Sequence, residues 1–254
     1  MKGAFRKLFL VELRRQWTVA AVFVPVGLLF ISVLTIVISS KFSKTYDVVR
    51  MAISANSTLV IPLATSLFGV AMVAADVKEG WLRTLLIRPI ARQQYLLVKM
   101  AVVYTSILFT IIIAGVLPNI IVPAFFFKGE VQFNFMRVLA VHALFMLETL
   151  QLLSLLALLS CWLPGVFNIV LLAFWWMTGS IISGFLGKFY WSERWALILK
   201  ECLYPPGFSS TVDSIAAGAP IPYGDLSLGL GATGIILALA FWSITKIQVD
   251  KGSE

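Results

Sequence analysis

The stretch that decides the fold is TLQLLSLLALLSCWLPGVFNIVLLAFWWMTGSIISGFLG, residues 149–187, in which no side chain is charged. A helix of about 20 apolar residues crosses a hydrocarbon core about 30 Å thick, so this run is twice as long as one span needs. Pro164 and Gly165 lie near its middle, and there a helix breaks easily because proline lacks a donor and glycine tolerates the turn. The stretch therefore predicts two membrane helices joined by a tight hairpin.

The whole chain has the composition of a membrane protein. Hydrophobic residues make up 60% and charged residues only 13%, and the mean hydropathy is +0.95, whereas soluble domains carry about 25% charge. The apolar runs do not alternate with period two, as the strands of a membrane barrel would. We therefore expect an all-α integral membrane protein. Its six predicted spans are residues 17–38, 56–75, 100–122, 138–161, 165–186 and 226–246.

Lysine and arginine in the short loops predict the orientation. Five basic residues precede the first span, and five more lie in residues 76–99, a charged segment between the second and third spans that we call the island. With six spans both fall on the same side, so we expect both termini and the island in the cytoplasm of a plasma-membrane protein. The net charge of +8 then reflects basic loops beside anionic headgroups and does not indicate a nucleic-acid partner.

Two segments outside the spans have amphipathic patterns. Residues 1–16 predict a helix lying in the membrane interface, with the alternative that they are merely basic residues flanking the first span. Residues 187–225 predict an ordered extracytoplasmic segment, because apolar residues between Trp191 and Cys202 share one helical face. No separate soluble domain fits in the chain, so residues 1–254 are expected to form one transmembrane domain.

Common catalytic and metal-binding motifs are missing. The chain has no phosphate-binding loop, no Gly-x-Ser-x-Gly motif and no His-Glu-x-x-His motif. Its two cysteines, Cys161 and Cys202, are expected on opposite sides of the membrane and show no metal-ligand spacing. We therefore expect no catalytic residue, no metal and no cofactor in this chain.

Glu148 and Gln151 form a polar pair inside the fourth predicted span, and their spacing places them on one helix face. An ionisable group at membrane depth is costly and indicates function, although polar side chains also hold helices together. Both interpretations stay open. His142, the single histidine, is expected to pack or to lie near the interface.

The island combines charge with a leucine stripe. Leu82, Leu85 and Leu86 keep helical spacing, and Pro89 ends the run. This pattern favours a short amphipathic helix that docks on a soluble partner over a plain solvated turn. Its charged residues are Asp76, Lys78, Glu79, Arg83, Arg88, Arg92 and Lys99.

The island resembles the signature of type-2 ATP-binding-cassette (ABC) exporter permeases. In that family an acid is followed by Gly-Thr, a Leu pair, a Pro, an Arg and a Lys. The matching residues here are Asp76, Gly80, Leu85, Leu86, Pro89, Arg92 and Lys99. Two positions depart from the pattern, since the family usually has Glu where this chain has Asp76 and Thr where it has Trp81. Residues 12–15, Glu-Leu-Arg-Arg, also resemble the interfacial helix of the family.

The resemblance implies a non-catalytic permease subunit that exports a substrate. It would pair with a second copy or a homologue and with two cytoplasmic ABC ATPase subunits, which would bind ATP and Mg. The island would be the coupling helix, and Glu148 and Gln151 would line the path or the dimer seam. Membrane lipid and an extracytoplasmic protein are further expected partners. The residues expected at the ATPase contact are Asp76, Glu79, Gly80, Arg83, Arg88, Pro89 and Arg92.

Two other functions remain open at this point. In one, the protein is a secondary transporter with Glu148 as its proton site, a class in which repeated halves are common. In the other, it is an assembly or maturation subunit that uses ATPase motion to act on an extracytoplasmic partner through residues 188–225.

Overall fold

The computed structural model of the chain is all-helical in the part that it describes. That part consists of residues 2–17, 19–42, 60–69, 72–73, 75–76, 91–126, 135–163, 167–168, 170–171, 208, 211–212, 214–215 and 218–247. No strand occurs among these residues, which agrees with the predicted fold class. The helices are α1 (Lys2–Gln16), α2 (Val19–Phe42), α3 (Ile61–Gly69), α4 (Arg92–Ile111), a π-helical segment (Ile112–Val116), α5 (Leu117–Phe126), α6 (Phe135–Ser160) and α7 (Tyr223–Lys246).

Three helical stretches are long and apolar enough to cross a membrane, namely Arg92–Val122, Met136–Ser160 and Tyr223–Lys246, and Phe23–Ile38 is a shorter apolar helix. They overlap four of the six predicted spans and indicate a membrane protein. Of the predicted span 56–75, α3 covers Ile61–Gly69. Of the span 165–186 only residues 167–168 and 170–171 are described. The count of six therefore stays a prediction.

The third predicted span differs from the structure at its beginning. We expected it to start at residue 100, but α4 begins at Arg92, inside the island. Tyr95, Leu96 and Val98 are all buried, so this charged turn packs against the bundle instead of continuing as a loop. We began the predicted span after Lys99 because of its charge, but in the structure two carboxylates neutralise that charge.

Helix α6 lies at the centre of the described bundle and packs against α3, α4 and α7. Its contact with α3 is close. A Cβ atom added at Gly69 would lie 2.8 Å from Leu156 Cδ1, so a larger residue there would require the Leu156 side chain to shift. Membrane helices associate through such close packing, since lipid tails are as apolar as their side chains.

Hydroxyl groups within the long helices mostly bond to their own helix. Ser106, Thr110, Thr149, Ser154 and Thr233 each donate to the carbonyl four residues earlier. This arrangement satisfies a polar side chain without a partner helix, as an apolar environment requires.

The π-helical segment interrupts the helix that runs from α4 to α5. The Leu117 backbone N–H donates to Ile112 O, five residues earlier. Pro118, in the first turn of α5, has no N–H to give to the carbonyl of residue 114, which favours a local change of hydrogen-bonding pattern. Asn119 then donates its amide to Gly115 O at 2.7 Å.

The carboxyl ends of α1 and α7 both lie at the end of the described bundle that contains Asp76. Arg15, near the end of α1, bonds to Asp76, and Arg92, at the beginning of α4, bonds to Ile247 O just beyond α7. We call the end that contains Asp76 the island end.

At the opposite end of the described bundle, α6 begins, and there Arg137 packs against Gly218, whose φ of 73° favours glycine.

Candidate functional site

Asp76, the first residue of the island, is buried and bonded to side chains from two helices. Its Oδ1 accepts a hydrogen bond from Arg15 Nη1 of α1 at 2.7 Å. Its Oδ2 lies 2.7 Å from Lys99 Nζ of α4 and also accepts a hydrogen bond from the Tyr95 hydroxyl. The carboxylate thus ties the beginning of the island to both α1 and α4.

Lys99 joins this carboxylate to a second one. Its Nζ lies 2.6 Å from Glu12 Oε2, and both Glu12 and Asp76 are almost completely buried. Two acids and two bases, Glu12, Asp76, Arg15 and Lys99, therefore balance one another, and with Tyr95 they form what we call the ionic cluster. A buried charge is tolerated when it is paired and hydrogen-bonded in this way.

Helical spacing places the side chains of the ionic cluster on the helix faces that meet. Glu12 and Arg15 are three residues apart on α1, and Tyr95 and Lys99 are four residues apart on α4, so each pair shares a helix face. Leu8 is buried on the same face of α1 as Glu12, and α1 packs against α4. Apolar packing thus brings two polar pairs together, with Asp76 between them.

A cavity of about 200 Å³ lies beside the ionic cluster. The four charged side chains line one part of it, and Leu67, Phe68 and Met72 line another. Since a water molecule occupies about 30 Å³ of liquid, the cavity has room for several waters against the charged wall. The cluster can therefore be hydrated locally although its carboxylates are buried.

Two more contacts cross between segments at the island end. Arg92 Nη1 donates to Thr245 O at 3.1 Å and to Ile247 O at 2.6 Å, carbonyls that lie at the carboxyl end of α7 and have no partner further along the helix. The Val73 N–H donates to Ser160 Oγ at 2.9 Å, which joins the segment after α3 to the last residue of α6. Asp76 and Arg92, near opposite ends of the island, are thus both anchored to the bundle.

The predicted ATPase-contact residues fall into two groups. Glu79, Gly80, Arg83, Arg88 and Pro89 lie outside the described residues. Asp76 and Arg92 are described, and their side chains bond to this chain itself. Asp76 has 1% of its surface exposed, so it contacts the interior of this chain and holds the beginning of the island in place. Their contact with a partner stays a prediction.

Glu148 and Gln151 are both buried inside the chain, at 4% exposure each. Gln151 Oε1 has no hydrogen-bond partner, and no ion pair with Glu148 occurs, within the described residues. Because the bundle already covers both side chains, contact with a second copy would require helices to separate. His142 bonds to Val138 O at 2.7 Å and packs edge-on against Phe145, consistent with a packing role.

Sequence reasoning missed Glu12, Arg15, Tyr95 and Lys99 as members of one site. One signal was available, since Glu12 is the single acid among five cations in the first sixteen residues. Lys99 was a second signal, because it is the last charged residue before a long uncharged run. Nothing in the sequence marked Tyr95. Asn119 was also missed; it is buried beside the π-helical segment, and its Oδ1 has no partner among the described residues.

Metal ligands do not assemble in the described part of the chain, where no three His, Cys, Asp or Glu side chains come together. The ionic cluster joins α1, Asp76 and α4 through ion pairs and hydrogen bonds, an arrangement that can link these segments mechanically.

Residues 17–250 match a family model described as a protein of unknown function, DUF2705. Comparison with curated proteins gives no match.

Proposed function

The chain belongs to the DUF2705 family, and from its island end we propose that it is the permease subunit of an ABC-type exporter driven by a separate ATPase. One observation carries the proposal. Asp76 is held by Arg15, Lys99 and Tyr95, so a displacement of the island at its first residue would pull on α1 and α4 together. A segment that receives force from a soluble partner needs such an attachment, and a solvated turn does not.

The topology of the proposal has six spans in the plasma membrane, with both termini and the island in the cytoplasm. The meeting of α1, the island and the carboxyl end of α7 at one end of the bundle supports it, since termini on one side require an even number of crossings. The basic residues around this end are those that the positive-inside rule assigns to the cytoplasm.

In this proposal the ATPase binds the charged residues of the island, Arg83 and Arg88 above all, while Asp76 and Arg92 fix the island to the bundle. ATP and Mg belong to the partner, and this chain supplies the membrane path. A second permease copy completes the assembly. Glu148 and Gln151 would line the translocation path, or they would become part of the dimer seam once helices separate.

The first experiment extracts the tagged full chain from its native cell in mild detergent, identifies copurifying proteins by mass spectrometry and measures ATP hydrolysis. We expect a near-stoichiometric ATPase that is lost from the R83E/R88E variant. Arg137→Glu is the matched control, because Arg137 is exposed and lies at the opposite end of the described bundle. Purification without any ATPase or nucleotide turnover would overturn the proposal.

Docking and force transmission can be separated with Asp76→Asn. In a C161S/C202S background, spin labels at the exposed positions 10 and 239 report the separation of α1 from α7. We expect ATP to change this distance in the complex, and we expect D76N to keep the ATPase bound while the change is reduced. A D76N complex that responds like the parent would remove the ionic cluster from the mechanism.

A proton-coupled secondary transporter is the second candidate, because the Glu148 carboxyl is buried in a membrane helix without an ion pair among the described residues. Its test uses the purified chain in proteoliposomes with an imposed proton gradient. Proton uptake that occurs without an ATPase and is abolished by E148Q would favour this candidate. Absence of uptake would exclude Glu148 as a coupling site.

A further inference from the structure

Every charged side chain on the outward face of α1 is a cation. Arg6, Lys7 and Arg14 are exposed, and the intervals of seven and eight residues that separate Arg14 from Lys7 and Arg6 place them on one broad face. Glu12, the single acid of the helix, points inward and is 3% exposed, paired with Lys99. The ionic cluster therefore removes the one negative charge that would have offset this face.

Apolar side chains lie between these cations. Leu10 is 45% exposed and Val11 52% exposed, each one turn away from a cation. A helix surface that mixes lysine and arginine with exposed aliphatic side chains suits the boundary between headgroups and acyl chains better than open water.

The position of α1 along the bundle agrees with this boundary. Lys99 is the last charged residue before Lys128 and lies in the stretch Arg92–Val122 that is able to cross a membrane. It therefore marks where the charged part of that helix gives way to hydrocarbon, and its contact with Glu12 sets α1 at this level. Just beyond α1, Trp17 packs on Phe109 with ring centroids 5.2 Å apart, so the chain enters the apolar layer where α1 ends.

We infer that the outward face of α1, formed by Arg6, Lys7, Leu10, Val11 and Arg14, binds anionic phospholipid headgroups. Charge complementarity selects the anionic lipid, and the exposed Leu10 and Val11 select a lipid surface over an acidic soluble protein. The inference does not depend on the proposed transport function, because it concerns the attachment of α1 to lipid and no other subunit.

The test places the full-length chain in nanodiscs of equal parts phosphatidylcholine and phosphatidylglycerol. Mild detergent then releases the protein, and native mass spectrometry measures the ratio of retained phosphatidylglycerol to phosphatidylcholine. We expect this ratio to exceed one for the parent and to fall about fivefold or more in R6Q/K7Q/R14Q, since each cation near a lipid surface contributes about fivefold to binding. The charge-preserving variant R6K/R14K should keep the ratio of the parent.

Lys246→Gln is the matched control, because Lys246 is an exposed cation at the same end of the bundle but lies outside α1. It should leave the ratio unchanged. A second measurement needs no variant: raising NaCl from about 50 to about 500 mM should lower the ratio of the parent, because salt screens exposed charges. A parent ratio near one, a ratio that salt does not change, or an undiminished ratio in a folded R6Q/K7Q/R14Q variant would each overturn the inference.

Discussion

The island end and the middle of the bundle use polar groups in different ways. At the island end polar side chains join different segments: Arg15 to Asp76, Lys99 to Glu12, Arg92 to the end of α7. In the middle, most hydroxyls bond to their own helix, and the Tyr104 hydroxyl, which donates to Met146 O on α6, is an exception.

The difference separates two kinds of cohesion. Bonds between segments are directional and fix a relative position, whereas packed apolar side chains hold helices together with weaker preference for one register. The side-chain links among α1, Asp76 and α4 therefore favour movement of these three as one piece. The middle of the bundle is better suited to sliding or rotation of one helix against another.

The largest expected effect comes from Lys99→Met, which breaks the ionic cluster. Removal of the cation leaves Glu12 and Asp76 buried with only part of their compensation, and the loss of one member of a buried pair costs about 3–5 kcal/mol. Unfolding in mixed detergent micelles should show this loss. Lys246→Met, at an exposed cation of the same end, should stay within about 0.5 kcal/mol.

A second substitution checks the origin of that loss. Glu12→Gln in the K99M background removes one of the two negative charges that Lys99 balanced and should recover part of the lost stability. If E12Q/K99M were as unstable as K99M alone, lost packing of the lysine chain would explain the effect instead of charge.

Two tyrosines allow a direct comparison of the two regions. Tyr95 donates to the Asp76 carboxylate and Tyr104 donates to a neutral carbonyl. Hydrogen bonds to charged groups contribute about 1.5–3 kcal/mol and neutral ones about 0.5–1.5 kcal/mol. Tyr95→Phe should therefore destabilise the protein more than Tyr104→Phe in the same unfolding measurement, and equal losses would remove the distinction between the regions.

The smallest effect concerns two serines of α6. Ser160 accepts the buried Val73 N–H, while Ser154 donates to Leu150 O of its own helix. Ser160→Ala leaves a buried backbone donor without that partner and should cost about 1–2 kcal/mol. Ser154→Ala should cost less than about 0.5 kcal/mol, because the Leu150 carbonyl can keep its helical bond. Hydrogen exchange at Val73 should increase in S160A alone, and an unchanged rate would contradict the assigned link.

The sequence predicted α6 and α7 well because the signal of an apolar helix is local. An uncharged run of sufficient length is visible in the composition of a single segment, and α6 and α7 agree with their predicted spans within three residues. The sequence did not predict that α4 begins at Arg92 or that the ionic cluster forms, because the partners of these charges are far away in the chain. Asp76 and Arg15 are 61 residues apart, and no periodicity within one helix reports such a pairing.

The π-helical segment changes which sides of the helical stretch Arg92–Val122 face its neighbours. A turn with one extra residue advances everything after it by about 100° around the axis, relative to an unbroken α-helix. Before the segment the helix packs on α1, α2, α3, α6 and α7; the π-helical segment packs on α2 and α6, and α5 packs on α2. An unbroken helix would keep one phase along its whole length, but this one changes phase midway, so the side of α5 that faces α2 differs by about 100° from the side that an unbroken helix would present there.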